Sequence, residues 1–87
     1  MGYRIIFTRR AVKDAKKLEQ AELDGKAKEL LKIIKKNPFQ KHPSFEKLVG
    51  DLKGQYSRRI NITHRLVYVV VGEEKTIKVL SMWSHYE

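Results

Sequence analysis

The chain has no cysteine, which removes disulfides, thiolate metal ligands and a thiol nucleophile together. Proline is scarce, with only Pro38 and Pro43, so the segments on either side are unobstructed for regular elements. No apolar run approaches the ~20 residues of a membrane span. Met1 to Phe7 holds no stretch long enough for a signal peptide. The chain is therefore expected to work in the cytoplasm and without a membrane. Acids are few, ten against nineteen Lys and Arg, leaving a net charge of +9. Such an excess calls for a polyanionic partner, and charge alone does not choose among nucleic acid, an anionic membrane and an acidic protein.

What is present fits one small domain over residues 1–87, with 41% hydrophobic and 33% charged residues. Tyr3 to Phe7 is aromatic and β-branched and reads as a strand, with Thr8 placed to cap a helix over Arg9 to Gln20. Ala11, Val12, Ala15 and Leu18 form a thin apolar stripe on that helix. A second helix is expected from about Ala21 to Lys36, on the recurrence of Leu23, Ala27, Leu30, Leu31 and Ile34, with Asn37-Pro38 as its stop. Gly25 marks an uncertain junction within this helical hairpin. After a proline-bounded connection come four stretches that read as antiparallel strands: Phe45 to Val49, Tyr56 to Ile60, Arg65 to Val71 and Thr76 to Trp83. Leu66 to Val71 is apolar on both parities, as in a central strand covered on both faces. The order predicts an α+β fold: an N-terminal strand, two helices packed on one face, then a four-stranded meander completing one sheet.

Between Leu30 and Gly72 the chain carries nine Lys or Arg residues and only two acids, Glu46 and Asp51. Lys32, Lys35 and Lys36 end a helix, where cations complement the dipole, so a solvated helix end accounts for them. Arg58, Arg59 and Arg65 lie in or beside strands, and alternation sends Arg58 and Arg59 to opposite faces. Each is either a surface charge blunting a sheet edge or a bidentate phosphate ligand. Glu46 opposes RNA binding unless it has a task, and pairing with Lys47 is the simplest one. His42 reads as a solvated loop residue, His64 as structural, and His85 as the fraying end of a strand. No pair among them has the spacing of a ligand set, so no metal or other cofactor is expected.

Taken in order, Asn37-Pro38-Phe39, Glu46-Lys47-Leu48, Gly54-Gln55-Tyr56-Ser57-Arg58-Arg59-Ile60, His64-Arg65-Leu66-Val67-Tyr68 and His85-Tyr86 span the chain. This combination resembles the Txe/YoeB family of the RelE/ParE toxin superfamily. Tyr56 stands where that family often has Trp, and Glu87 follows the His-Tyr pair. The resemblance implies a RelE-like fold and the toxin of a type II toxin–antitoxin pair, a metal-independent endoribonuclease that cuts mRNA in the ribosomal A site. It carries family roles onto Glu46, Arg59, Arg65, His85 and Tyr86.

Those residue types suit the chemistry. Metal-free RNA cleavage needs a base for the 2'-hydroxyl, an acid for the departing 5'-oxygen and cations for the phosphorane, and it leaves a 2',3'-cyclic phosphate. Glu46 is the expected base and His85 the acid, with Arg65 and Arg59 on the phosphate and Tyr86 orienting the nucleotide. Arg58, Lys47 and Lys53 are the further cations expected to contact substrate. The expected partners are the ribosome with its mRNA, an acidic YefM/Axe-like antitoxin that folds on binding, and a second copy in a homodimer. Two other readings remain open at this point: a ParE-like gyrase inhibitor without RNA chemistry, and a basic RNA-binding module of the same fold.

Overall fold

In a computed structural model, residues 2–41, 44–47 and 54–83 are described. Thr8 does cap the first helix, α1 (Arg9–Gln20): its Oγ1 accepts from the Ala11 amide at 3.1 Å and donates to the Leu80 carbonyl at 3.0 Å. One hydroxyl thus starts the helix and ties it to the last strand. Ala11, Asp14 and Leu18 recur every three or four residues and are the buried face of α1.

The second helix, α2, spans Asp24–Lys36 and starts later than the sequence pattern indicated. The helix break lies before Gly25, at Glu22, which takes the left-handed conformation (φ 59°). The Leu23 amide donates back to the Leu18 carbonyl at 2.8 Å and the Glu22 amide to Glu19 at 3.1 Å. This double closure satisfies the last carbonyls of α1, as a left-handed C-terminal residue permits. Ala27, Leu30 and Ile34 are the buried residues of α2.

The strands are β1 (Arg4–Phe7), β2 (Glu46–Lys47), β3 (Gln55–Arg59), β4 (Arg65–Val71) and β5 (Thr76–Ser81), in one sheet ordered β1-β5-β4-β3-β2. The four later strands form the expected antiparallel meander. β1 runs parallel to β5 on the far edge, so the sheet is mixed. β4 is central, and Leu66, Val67 and Tyr68 are buried, Val67 on the other parity from its two neighbours. Leu66, Tyr68, Ile77 and Val79 meet the buried residues of both helices in one core. Burying each such aliphatic side chain contributes roughly 1.5–3 kcal/mol. An irregularity at Val67/Tyr68 shifts the β4–β5 register, pairing Val67 with Ser81 and Tyr68 with Val79 and leaving Leu80 as the extra residue.

Tyr68 links the core to the loop before β2. Its hydroxyl donates to the Pro38 carbonyl at 2.8 Å and accepts from Arg58 Nε at 3.1 Å. Burial raises its pKa above the ordinary tyrosine value, and the hydrogen bond from Arg58 offsets only part of that. A raised pKa in an acid means that the folded state favours the protonated form. Its contribution is therefore complete below the unfolded value of 10.0 and is lost as pH rises through the folded value. Urea denaturation followed by circular dichroism should accordingly show wild type losing stability between neutral and strongly alkaline pH, and Tyr68→Phe, which has no proton to lose there, losing less over the same range.

Candidate active site

Register on the three strands at one end of the sheet assembles a single cluster. Glu46 pairs with Ser57, Ser57 with Val67, and Arg59 with Arg65. Because side chains two apart share a face, Glu46, Ser57, Arg59 and Arg65 all lie on the face opposite the one carrying Leu66 and Tyr68. Arg65 Nη1 donates to Glu46 Oε1 at 2.9 Å, so Arg65 rather than Lys47 is the partner of this carboxylate. With Ser44 and Phe45 these four residues line a cleft of about 240 Å³.

The electrostatics of the cluster favour an anion. Like charges directly opposite on antiparallel strands are destabilising by up to ~1 kcal/mol, yet Arg59 and Arg65 hold that relation. Glu46 is the one acid among the described residues that lines the cleft with them, and its side chain is 65% exposed. Two guanidiniums on one face, one of them paired with a largely exposed carboxylate, are suited to exchanging that carboxylate for a phosphate.

Arg58 is turned away from this cleft. It is almost fully buried on the other face, with its second terminal nitrogen 3.1 Å from the Pro38 carbonyl and 2.8 Å from the Gln40 carbonyl. Its guanidinium carbon lies 4.9 Å from the centre of the Phe45 ring. Tyr56 packs at its ring against Phe39, Phe45 and Tyr68, with centroids 5.5–5.7 Å apart. Burial therefore removes Arg58 from the expected substrate contacts. Arg58 instead holds Pro38, Gln40 and Phe45, residues that precede β2, from behind the sheet. Lys47 pairs with Tyr56 and, by alternation, faces away from Glu46. His85, Tyr86 and Lys53 lie outside the described residues.

Two further side chains fix the chain where it leaves β5 toward His85. Asp14, buried on α1, accepts from the Met82 and Trp83 amides at 3.0 and 3.2 Å through one carboxylate oxygen. The ring of His64 stacks on Trp83 at 3.9 Å between centroids, in keeping with a structural role for His64. Sequence reading missed Asp14: an acid on an apolar helix stripe was its only signal. Replacing it with Ala strands two backbone donors, at a cost of about 1–3 kcal/mol. Asn retains an acceptor and should lose less, which urea denaturation of both variants will measure.

A family profile described as the YoeB-like toxin of bacterial type II toxin–antitoxin systems matches residues 7–86. The chain belongs to that family. It is 38% identical over 78 residues to toxin YoeB of Streptomyces coelicolor, covering 85% of this chain and 90% of that one. Toxin YoeB of Synechocystis is 38% identical over 58 residues, 67% of this chain and 65% of the relative's length. Among solved structures, the Agrobacterium tumefaciens YoeB/ParE toxin superposes with a TM-score of 0.86 at 30% identity, covering 95% of this chain and 99% of the other. The YoeB of the Staphylococcus aureus YoeB–YefM complex does so at 0.81 and 40%, covering 97% and 98%. The S. aureus protein has also been solved as a dimer. The α+β arrangement expected from the element order, and the RelE-like fold that the resemblance implied, are the fold of this YoeB-like chain.

Proposed function

We propose that this YoeB-like toxin is a ribosome-dependent endoribonuclease that cuts mRNA in the A site and so arrests translation. The observation that carries the reading is the cleft itself, where one carboxylate and two guanidiniums share a sheet face. Glu46 takes the proton of the 2'-hydroxyl, and the freed oxygen attacks the adjacent phosphorus. The bond to the 5'-oxygen breaks as His85 protonates it, leaving a 2',3'-cyclic phosphate and a 5'-hydroxyl. Arg65 and Arg59 hold the non-bridging oxygens, whose charge grows in the phosphorane, and Tyr86 orients the nucleotide. Side chains supply base, acid and cations, so the scheme calls on no metal or other cofactor. Lys53, and the exposed cations among the described residues, add sequence-independent attraction to the RNA backbone.

The same reading assigns an acidic YefM-like antitoxin as the partner that neutralises the toxin. Support comes from the net charge of +9 and from the S. aureus relative, solved with YefM. A homodimer and a cytoplasmic site of action complete the proposal, the former on the analogy of the S. aureus dimer. No helix among the described residues is long and apolar enough to cross a membrane.

Primer extension on mRNA bound to purified ribosomes tests the proposal. New 5' ends within the A-site codon are expected when the protein is added and absent when it is withheld. Inhibition of gyrase supercoiling without new ends would assign the chain to the gyrase poisons instead. Salt-sensitive RNA binding with neither activity would make it a binding module.

A further inference from the structure

Ser57 lines the cleft on the same strand face as Glu46, Arg59 and Arg65, yet the catalytic scheme leaves it without a task. The residue is 1% exposed, it lines the same cleft as Glu46 and Arg65, and its hydroxyl has no hydrogen-bond partner among the described residues. A buried hydroxyl left unsatisfied is costly, and an alanine of nearly the same shape would avoid the cost. Some other state of the molecule must therefore use it, or the serine is a net burden.

The strand register names the partner. Glu46 stands directly across from Ser57, a relation in which Cα atoms are roughly 4.5–5.5 Å apart. Arg65, the present partner of the carboxylate at 2.9 Å, is reached diagonally: it lies on β4, two residues before Val67, which is the residue opposite Ser57. Glu46 thus has two destinations on one face, across to a hydroxyl or obliquely to a guanidinium. While it occupies the second, the base and the phosphate ligand neutralise each other.

We propose that Ser57 is the positioning residue for Glu46 in the substrate-bound state. Phosphate displaces the carboxylate from Arg65, and the Ser57 hydroxyl then donates to one carboxylate oxygen. The other oxygen is left to accept the 2'-hydroxyl proton. The ion pair of the free protein is the resting arrangement, and binding of the scissile phosphate converts it to the reactive one. No bond other than a hydrogen bond is made or broken in this switch. The inference rests on the endoribonuclease reading above for its consequence in rate, but not for the switch itself.

Ser57→Ala separates this role from a structural one. Because the hydroxyl is unsatisfied in the free protein, the variant should melt at or above the wild-type temperature. Cleavage at saturating ribosome concentration should nevertheless fall about tenfold or more, the scale of a hydrogen bond to a charged group, with KM unchanged. In a Glu46→Gln background the same substitution should change the residual rate less than twofold, since Ser57 acts through the carboxylate. A lowered melting temperature with equal loss in both backgrounds, or an undiminished rate, overturns the proposal.

A second readout holds even if the protein cuts no RNA. The side-chain carboxyl ¹³C resonance of Glu46 is followed in wild type and Ser57→Ala while inorganic phosphate is added to saturation. The two proteins should coincide without phosphate and differ with it. Coincidence throughout overturns the switch, whereas wild-type protein that shows the difference but leaves mRNA intact overturns only the nuclease reading.

Discussion

Arg58→Ala should cost about 3–5 kcal/mol of folding stability, the scale for removing one partner of a buried charged network, while Arg59→Ala should cost less than ~0.5 kcal/mol. The two residues are neighbours in one strand and chemically identical, so the contrast comes from placement alone. Arg58 is buried and supplies donors to Tyr68, Pro38 and Gln40. Deleting it leaves two carbonyls without that donor beneath a ring cluster that has lost its cation. Arg59 is exposed and faces Arg65 across the ladder, so its removal relieves repulsion between like charges. A domain of this size loses roughly 4–8 °C per kcal/mol, which places the Arg58→Ala midpoint more than ~10 °C below wild type. Lysine at 58 should rescue little, because one ammonium cannot reproduce a planar fork serving three acceptors. Thermal and urea denaturation of the three variants give the answer. The activity loss should run the other way, with Arg59→Ala well folded and impaired on RNA.

Alternation made half of that contrast legible in advance: sequence placed Arg58 and Arg59 on opposite faces without saying which face was wet. The answer depends on the ring cluster of Phe39, Phe45, Tyr56 and Tyr68 and on two backbone carbonyls, and carbonyls leave no trace in residue type. Helix α1 and strand β4 had the expected limits because a capping threonine and a β-branched run mark them locally. The start of α2 was misplaced, since a glutamate at φ 59° broke the helix where glycine was the residue to look for. Glu46 was singled out by its isolation in a basic stretch, but Lys47 was its nearest cation in sequence. A strand pairing makes Arg65, nineteen residues away, nearer in space. Ser57 and Asp14 were invisible for a related reason: each matters through a partner that only the assembled sheet supplies.

Glu46→Gln and His85→Ala should both abolish most cleavage, each by a factor of roughly 100 to 10,000 as general base and general acid, yet only the first should change RNA affinity. His85→Ala removes a group that acts late, on the departing oxygen, so ribosome and RNA binding should stay near wild type. Glu46→Gln removes the only acid that lines the cleft among the described residues and frees Arg65 from its ion pair with it. Phosphate then no longer has to displace a carboxylate, and affinity should rise while cutting falls. The rise should shrink as salt is added, because the term is electrostatic and Glu46 is largely exposed. Single-turnover cleavage and equilibrium binding of a non-cleavable 2'-deoxy codon analogue on ribosomes, measured on the same preparations, resolve the two quantities. Weaker binding by Glu46→Gln would mean that the carboxylate organises Arg65 for phosphate instead of competing with it, and the base would have to be sought elsewhere. Tighter binding with lost cleavage is the signature of a base held inside a phosphate site.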